Sequence, residues 1–336
     1  MSINQRKKPV TIVSGFLGSG KTTLLTKVLQ SEVMRNTAIF VNEFGKVGLD
    51  HHLLQRLDES TVLLGGGCVC CTRRVDLLSG LQSLLDRIQR NEVNVDRVII
   101  ETTGLADPSP ILFTVLTDPV LQHHYYIDQV VVTVDTVNGH FHLDQQPESI
   151  KQISAADQVV LTKVDIADEE TVKSLKARIV GLNPTVLIHE SVYGDLALDV
   201  FSYHPGIQAG RRPVAIDRMT EEQHIEDTKS ISITFDRPID WHAFGVWLSM
   251  LLYANGEKIL RVKGLLDVGE DGPVSLNGVQ HIIHPPEHLE GWPDWDHRSH
   301  IVFICRNLDP EEILVSLKAF QQSLGAVPRQ LNFQTV

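Results

Sequence analysis

A glycine-rich segment near the N-terminus has the residue types and spacing of a phosphate-binding loop. Residues 15–22 read GFLGSGKT, which fits GxxxxGK[ST], and they separate an apolar β-branched run from a helix-period stretch. The glycines allow the backbone to fold around an anion with its N–H groups pointing inward. We therefore predict that Lys21 reaches the β and γ phosphates of a nucleotide and that the Thr22 hydroxyl binds Mg²⁺. The alternative is a glycine-rich turn that binds nothing.

A carboxylate follows a second apolar run. Residues 97–104 read RVIIETTG, so Glu101 ends a predicted strand and Gly104 lies three residues beyond it. At that end of a strand beside a phosphate loop, a carboxylate is able to hold Mg²⁺ directly or through water. The backbone N–H of Gly104 would approach the γ-phosphate. The alternative is a strand that ends in a solvated glutamate.

The sequence TKVD at residues 162–165 predicts which base is bound. It follows an apolar run and should lie at the carboxyl edge of the sheet, where open α/β sheets bind their ligands. Asp165 would accept hydrogen bonds from two donors of guanine that adenine lacks, and the stem of Lys163 would lie across the base. Each such bond is worth roughly 1.5–3 kcal/mol, which favours GTP. The usual first residue of this motif is Asn, whose amide braces the loop, and Thr162 stands in its place.

Three of the four cysteines fall within four positions, at Cys68, Cys70 and Cys71. Disulfides within so tight a loop would be strained. Thiolates favour Zn²⁺, Cu⁺ or iron–sulfur clusters, and a glutamate or histidine from elsewhere would complete a tetrahedral site. Glu43, in an NEFG segment that follows another apolar run, is one candidate; the alternatives for this segment are a Mg²⁺ ligand or a polar turn. We rank zinc first, another divalent metal second and a redox dithiol third; the remaining alternative is three inert buried cysteines.

The elements that must position these residues alternate between short β-branched runs and longer stretches of helical periodicity. Strands are predicted at residues 10–14, 37–41, 62–64, 97–101, 129–135, 158–162 and 185–189. Helices are predicted at residues 21–32, 76–91, 108–118, 148–156 and 168–181. Because several strands are apolar on both faces, we predict an α/β fold with a doubly wound, mostly parallel sheet.

The order of elements changes after the polar stretch 203–228. The second half is predicted to contain strands at 230–236, 258–267, 273–284 and 300–306, and helices at 241–254 and 310–324. Neighbouring strands without intervening helices predict a smaller α+β domain with an antiparallel sheet. The predicted boundaries are 1–205 for the first domain, 206–228 for the linker and 229–326 for the second domain.

Composition limits the classes of function. The 336 residues suit two domains, and 42% hydrophobic with 21% charged residues is the composition of a globular protein. The 30 basic and 42 acidic residues give a net charge of −12, which argues against general nucleic-acid or anionic-membrane binding. No segment approaches the apolar run of about 18 residues that a spanning helix needs. We therefore expect a cytoplasmic protein with neither nucleic acid nor membrane as a partner.

The motifs together resemble a known family. GFLGSGKTT, NEFG, GGGCVCC, ETTGLADP and TKVD occur in this order, followed by ILRVKGLLDV, GVQHIIHPP and SHIVFI. This combination resembles the CobW family of metallochaperone GTPases, and the cysteine motif is its most specific part. The resemblance implies a P-loop GTPase fold, a CobW-like C-terminal domain and slow hydrolysis of GTP to GDP and phosphate. It also implies delivery of zinc, cobalt or another divalent transition metal to a client metalloprotein.

The resemblance further implies roles for individual residues. Lys21, Glu101 and Gly104 would form the catalytic set, and Thr22 with Glu101 would hold Mg²⁺. Glu43 and the three clustered cysteines would bind the transported metal. The nucleotide-binding residues would be Gly15, Gly18, Ser19, Gly20, Lys21, Thr22, Thr23, Lys163 and Asp165. Because related GTPases often pair across the nucleotide, a nucleotide-dependent homodimer is also expected.

Two other functions stay open from the sequence. A metal store or sensor with vestigial GTPase activity would show negligible turnover even with metal and client present. A P-loop kinase of a small molecule would transfer phosphate to an acceptor, and it would need neither TKVD nor the clustered thiols.

Overall fold

The computed structural model describes residues 7–41, 62–65, 74–195, 198–201 and 228–330. These residues divide into two compact units. The first holds the described part of 1–175 and 187–203, and the second holds Lys176–Val186 with residues 228–330. The predicted domain boundaries stay predictions. The predicted linker lies outside the described residues except for Thr228, which opens a strand.

Apolar β-branched runs form a seven-stranded sheet in the first unit. Its strands are β1 (Lys8–Gly15), β2 (Thr37–Val41), β3 (Val62–Gly65), β4 (Arg97–Glu101), β5 (Tyr125–Asp135), β6 (Gln158–Thr162) and β7 (Leu187–Ser191). Every neighbouring pair is parallel, in the order β3-β2-β4-β1-β5-β6-β7. The predicted parallel α/β sheet is confirmed. All seven strands therefore have their carboxyl ends at one edge, where ligands of such sheets bind.

Helices connect these strands. They are α1 (Lys21–Val28), α2 (Arg74–Gln89), α3 (Ser109–Thr117), α4 (Leu121–His124), α5 (Gly139–Gln145), α6 (Pro147–Ala155) and α7 (Glu169–Leu182), with 3₁₀ turns at Glu32–Met34 and Leu198–Phe201. The prediction extended α1 to residue 32, but it ends at Val28 and a 3₁₀ turn follows. It omitted α4 and α5, which are too short to show helical periodicity.

The phosphate loop follows the central strand of this sheet. On one face, Val13 of β1 packs in a buried cluster with Leu24 and Leu25 of α1 and with Ile99 and Val131 of the flanking strands. Complete burial of such side chains contributes roughly 1.5–3 kcal/mol each. This packing fixes the direction in which the chain leaves β1 and enters α1.

The second unit has an antiparallel sheet. Its elements are β8 (Thr228–Phe235), α8 (Trp241–Asn255), β9 (Ile259–Leu266), β10 (Val274–Val279), β11 (Ile282–Ile283), β12 (Glu287–His288), β13 (His300–Arg306), α9 (Pro310–Leu324) and β14 (Pro328–Gln330). The strand order is β11-β10-β9-β13-β8-β14, and β12 pairs with β10. The side chains of Asp240 and Asp309 cap α8 and α9. The predicted α+β class of this half is confirmed.

Two predicted strands differ from the structure for local reasons. The strand predicted at 273–284 is a hairpin, because Gln280 has a left-handed φ of 54° and Val279 pairs with Ile282 across the turn. β7 begins two residues later than predicted, because Oδ1 of Asn183 accepts hydrogen bonds from the backbone N and Oγ1 of Thr185 and forms a turn. Among the described helices, none has the length and apolarity to cross a bilayer.

Candidate functional site

The phosphate loop joins β1 to α1 at the carboxyl edge of the sheet. Gly15, Gly18 and Gly20 have φ values of 139°, 73° and 90°, which residues with side chains rarely adopt. A Cβ on Gly15 would lie 2.3 Å from the Thr133 hydroxyl, so this position also needs glycine on steric grounds. Gly20 is the N-cap of α1 and offers no side chain to the first turn. The positive end of the helix dipole is therefore directed at the loop.

Two side chains of the loop, those of Ser19 and Lys21, are held by hydrogen bonds. The ammonium of Lys21 donates hydrogen bonds to the carbonyl oxygens of Gly15 at 2.8 Å and Phe16 at 3.1 Å. The Ser19 hydroxyl lies 2.6 Å from that of Thr133 on β5. A buried cation and a helix N-terminus thus meet in one loop, and together they favour a polyanion such as a polyphosphate.

The predicted magnesium residues are brought together. β4 lies next to β1 with Glu101 in register with Val13, so the carboxylate is placed beside the phosphate loop. The Thr22 hydroxyl donates to Oε1 of Glu101 at 3.3 Å, and Glu101 is only 5% exposed. A hydroxyl and a carboxylate are hard oxygen donors, which Mg²⁺ prefers while it keeps several of its waters. The donor set therefore fits the ion.

Gly104 packs directly on the phosphate loop. A Cβ at this position would lie 2.6 Å from the backbone N of Leu17, so a side chain here would displace the loop. Gln152 of α6 holds this turn from the other side, because its Nε2 donates to the carbonyl oxygens of Gly104 at 3.2 Å and Ala106 at 3.0 Å. The turn after β4 and the phosphate loop therefore form one packed unit.

Thr162 braces the phosphate loop with its hydroxyl. Its Oγ1 donates to the carbonyl of Ser19 at 2.8 Å and lies 3.3 Å from the carbonyl of Val134. Its methyl carbon is 3.4 Å from where a Cβ on Gly20 would stand. The threonine at the first position of the base motif therefore links β6 to the loop, the function that the sequence analysis assigned to an asparagine amide.

The next residues of the base motif are held by β5. The Lys163 ammonium donates to Oδ2 of Asp135 at 2.7 Å. Asp135 is 2% exposed and also accepts hydrogen bonds from the backbone N of Val137 and Nδ2 of Asn138, both at 2.9 Å. Asp165 is exposed in the turn that follows. Its carboxylate is therefore available to a ligand at the sheet edge.

The hydrogen bonds around Asp135 determine the direction of its pKa shift. Burial pushes the pKa of Asp135 upward, but the hydrogen bonds and the Lys163 charge outweigh it, so the pKa lies below the ordinary aspartate value. His142 of α5 packs on Phe16 of the phosphate loop with ring centroids 4.5 Å apart. Burial lowers the pKa of His142, Asp135 partly opposes this, and Lys163 adds to it.

The predicted metal ligands lie outside the described residues. They are Glu43, Cys68, Cys70 and Cys71. The structure describes the strands that precede them, β2 ending at Val41 and β3 ending at Gly65, and the helix that begins after them at Arg74. Within the described ranges, no group of three or more His, Cys, Asp or Glu side chains is arranged to hold a metal ion.

Sequence reasoning missed two parts of this edge. Asp135 gave no signal of its own, because its role depends on the pairing of β5 with β6. The turn at residues 191–195 follows β7 and packs on α1, where a Cβ on Gly194 would lie 2.8 Å from the carbonyl of Thr23. The turn-forming residues Gly194 and Asp195, which come shortly after an apolar run, are the sequence signal that would have marked it.

Two family models match the chain. Residues 9–190 match the CobW/HypB/UreG nucleotide-binding domain, and residues 228–321 match the cobalamin synthesis protein CobW C-terminal domain. The chain belongs to the CobW family. Its first unit is therefore a nucleotide-binding domain, consistent with the phosphate loop and its neighbouring carboxylate.

Three relatives of the chain have names that refer to zinc. The chain is 32% identical over 309 residues to the zinc chaperone YjiA of Escherichia coli, covering 90% of this chain and 96% of that protein. It is 34% identical over 226 residues to the zinc chaperone CobW of Pseudomonas aeruginosa, covering 58% and 59%. It is 34% identical over 195 residues to the zinc-regulated GTPase metalloprotein activator 1 of Schizosaccharomyces pombe, covering 56% and 46%.

Solved structures share the fold of this CobW-family chain. The zinc-bound YjiA GTPase from Escherichia coli matches with a TM-score of 0.73 at 30% identity, over 94% of this chain and 99% of that chain. A zinc-bound triple mutant of YjiA, with one glutamate and two adjacent cysteines replaced by alanine, matches with a TM-score of 0.74 at 28% identity over the same shares.

Proposed function

We propose that this chain is a GTPase that couples GTP binding and hydrolysis to the handling of zinc and its delivery to a client metalloprotein. The names of its relatives support zinc as the metal and a metalloprotein as the client. The observation that carries the proposal is the order of the strands at the carboxyl edge. β2, which precedes Glu43 in sequence, stands next to β4, which carries Glu101, and β3, which precedes the three clustered cysteines, pairs with the other side of β2.

The spacing of the strands gives this arrangement a scale. Val41 is in register with Gly65 on one side and with Glu101 on the other. Neighbouring strands are about 4.8 Å apart, so the ends of β3 and β4 are separated by about 10 Å. In sequence, Glu43 follows Val41 by two residues and Cys68 follows Gly65 by three. The predicted metal ligands therefore follow strands that end within about 10 Å of the end of β4.

The described residues supply the parts of a phosphoryl-transfer site. Lys21 and the N-terminus of α1 would bind the β and γ phosphates, and Thr22 with Glu101 would hold Mg²⁺. When bound, Mg²⁺ neutralises charge on the phosphate oxygens during transfer. Gly104, packed on the phosphate loop, would report the presence of the γ-phosphate to the turn after β4. Asp165 would select guanine.

Zinc and nucleotide would then influence each other through this shared edge. Thiols must lose protons to bind zinc, so we expect zinc affinity to rise with pH and loading to release protons. If GTP and GDP states differ in zinc affinity by some factor, zinc must change the ratio of nucleotide affinities by the same factor. Such linkage would allow hydrolysis to time the loading or release of the metal.

One set of variants tests the function. With the wild type and GTP, we expect slow release of inorganic phosphate; Lys21→Ala should lose nucleotide binding but keep zinc. The double variant Cys70→Ala, Cys71→Ala should lose its tightest zinc site and keep GTP binding. Because the related YjiA triple mutant is itself zinc-bound, zinc must be titrated against a competing chelator that masks weak sites.

The competing functions give different results in the same experiments. A P-loop kinase would yield a phosphorylated acceptor and little free phosphate. A metal store or sensor would bind zinc with the same affinity in all nucleotide states and show negligible turnover. Either result would overturn the proposal.

A nucleotide-dependent homodimer, the second partner predicted, is supported by apolar side chains around the phosphate loop. Leu17, Leu105, Val137 and Phe141 are each at least half exposed. Leu17 packs on Gly104, which is the neighbour of Leu105 in sequence, so Leu17 and Leu105 belong to one surface. Exposed clusters of this kind mark interaction sites. Sedimentation should show a dimer with a GTP analogue and a monomer with GDP, and Phe141→Asp should weaken that dimer; a monomer in both states would refute it.

A further inference from the structure

We infer that Tyr193 stacks on the guanine base and forms the wall of the base pocket opposite Lys163. No motif considered in the sequence analysis includes this residue. The inference rests on the proposed GTP binding and adds a second binding residue to it. Three features of the described residues carry it, namely position, backbone conformation and exposure.

The position of Tyr193 follows from strand order. β7 is the parallel neighbour of β6, and Ser191 is in register with Thr162. Lys163 is therefore the first residue beyond the end of β6, and Tyr193 is the second beyond the end of β7. Both residues lie at the carboxyl edge that carries the phosphate loop, on adjacent strands.

The turn that carries Tyr193 is fixed against the nucleotide domain. Val192 and Asp195 form a bridge in which the backbone N of Asp195 donates to the carbonyl of Val192 at 2.9 Å. Gly194 lies against α1, because a Cβ there would stand 2.8 Å from the carbonyl of Thr23. The same helix begins at the phosphate loop, so this turn and the loop share a support.

The backbone of Tyr193 is in a conformation that an aromatic residue rarely adopts. Its φ is 50°. In the described ranges the other non-glycine residues with positive φ are Asn36, Asn91, Asn307, Gln280 and Lys163. Asparagine tolerates this region, whereas a bulky side chain there is unusual and strained. Strain of this kind concentrates at functional sites. Here it affects Lys163 and Tyr193, which follow adjacent strands at one ligand-binding edge.

The exposure of the ring is equally unusual. Tyr193 is 80% exposed, so the ring gains little from burial in the protein alone. A tyrosine has an apolar face for stacking and a hydroxyl that remains in water. The opposite wall is already in place, because Asp135 holds the ammonium of Lys163 at 2.7 Å. A purine is the flat group that the proposed substrate brings to this edge.

Stacking and edge recognition have separable consequences. Every base has an aromatic face, so stacking adds affinity without selecting the base. Asp165 would supply the selection, because a carboxylate pairs with donors on the guanine edge. Inorganic triphosphate has no base and should be indifferent to Tyr193. These differences define the experiment.

The test compares dissociation constants by calorimetry, with Mg²⁺ present, for GDP, inosine diphosphate and inorganic triphosphate. Tyr193→Ala should weaken both nucleotides by a common factor of about ten and leave triphosphate unchanged. Tyr193→Phe should bind like the wild type. Tyr193→Asn removes the ring with a residue that tolerates positive φ, and it should match Tyr193→Ala. Tyr253→Ala, which removes a 95% exposed tyrosine from α8, is the matched control and should change nothing.

The outcomes distinguish failure of the proposed GTP binding from failure of the stacking inference. If triphosphate binds the wild type but neither GDP nor inosine diphosphate does, the proposed GTP binding fails. If the wild type prefers GDP and both ring-deleting variants bind GDP as tightly as it does, GTP binding stands and the stacking inference is overturned. Equal weakening of GDP and triphosphate would also overturn it, because the turn would then act on the phosphate loop rather than on the base.

Discussion

Replacement of Asp135 by asparagine tests how the base motif is held. Asp135→Asn keeps the size of the side chain but removes the negative charge opposite Lys163. In the wild type the carboxylate accepts three hydrogen bonds, including the one from the Lys163 ammonium at 2.7 Å. The variant loses the charge-assisted bond and frees the lysine side chain.

The structure sets the size of both effects. A hydrogen bond to a charged group is worth roughly 1.5–3 kcal/mol, but the side chain of Lys163 is 39% exposed and regains water when released. We therefore expect the free energy of unfolding to fall by about 1–2 kcal/mol. A freed lysine must be ordered again when nucleotide binds, at roughly 0.5–1.5 kcal/mol. GDP affinity should therefore fall by a factor of about 2 to 13.

The assay combines denaturant unfolding with GDP titration at pH 7. Because the pKa of Asp135 lies below the ordinary aspartate value, its contribution to stability is complete above the unfolded pKa and is lost as pH falls through the folded pKa. The difference between wild type and variant should therefore persist across the neutral range and vanish only in strong acid. Asp86→Asn, an exposed aspartate on α2, is the control. Unchanged stability and GDP affinity in Asp135→Asn would refute the reasoning.

Three further predictions concern single side chains. Asp165→Asn should shift preference from guanosine to xanthosine nucleotides in competition binding, and unchanged selectivity for GTP would show that another group reads the base. Thr162→Val should lower the free energy of unfolding by about 1–3 kcal/mol, because it leaves the Ser19 carbonyl without its donor. Thr162→Ser keeps the hydroxyl and should keep the stability of the wild type. Equal melting curves for the wild type and both variants would contradict the bracing role of Thr162. Burial raises the pKa of the Cys305 thiol to about 12, so peptide mapping of native protein treated with a thiol reagent at pH 8 should find Cys305 unmodified, whereas rapid labelling would contradict its burial.

The parallel sheet was readable from sequence because its strands are buried runs with polar ends. β2, β4 and β6 have the predicted bounds, since Thr37, Arg97 and Gln158 mark where each apolar run begins. Elements shorter than two helical turns, such as α4, carry no periodicity to detect. The turn at Gln280 lacked the glycine or asparagine that usually marks a hairpin.

The candidate site likewise contains parts that could be predicted from the sequence and parts that could not. The strand, loop and helix around Lys21 were predicted because the whole unit is local in sequence. The pairing of Thr22 with Glu101 depended only on adjacent strands of a familiar order. By contrast, the bonds from Thr162 to Ser19 and from Lys163 to Asp135 join segments far apart in sequence, and only strand order brings them together. Roles for the metal ligands stay predictions.

The most direct test of the account is zinc affinity in two nucleotide states. Zinc should be titrated against a chelator with the full chain bound to GDP and to a non-hydrolysable GTP analogue, both with Mg²⁺. We predict dissociation constants that differ by about fivefold or more, the usual size of such coupling. The variant lacking Cys70 and Cys71 should show no difference between the two states. Equal zinc affinities of the wild type in both states would contradict the claim that nucleotide and metal act on one another.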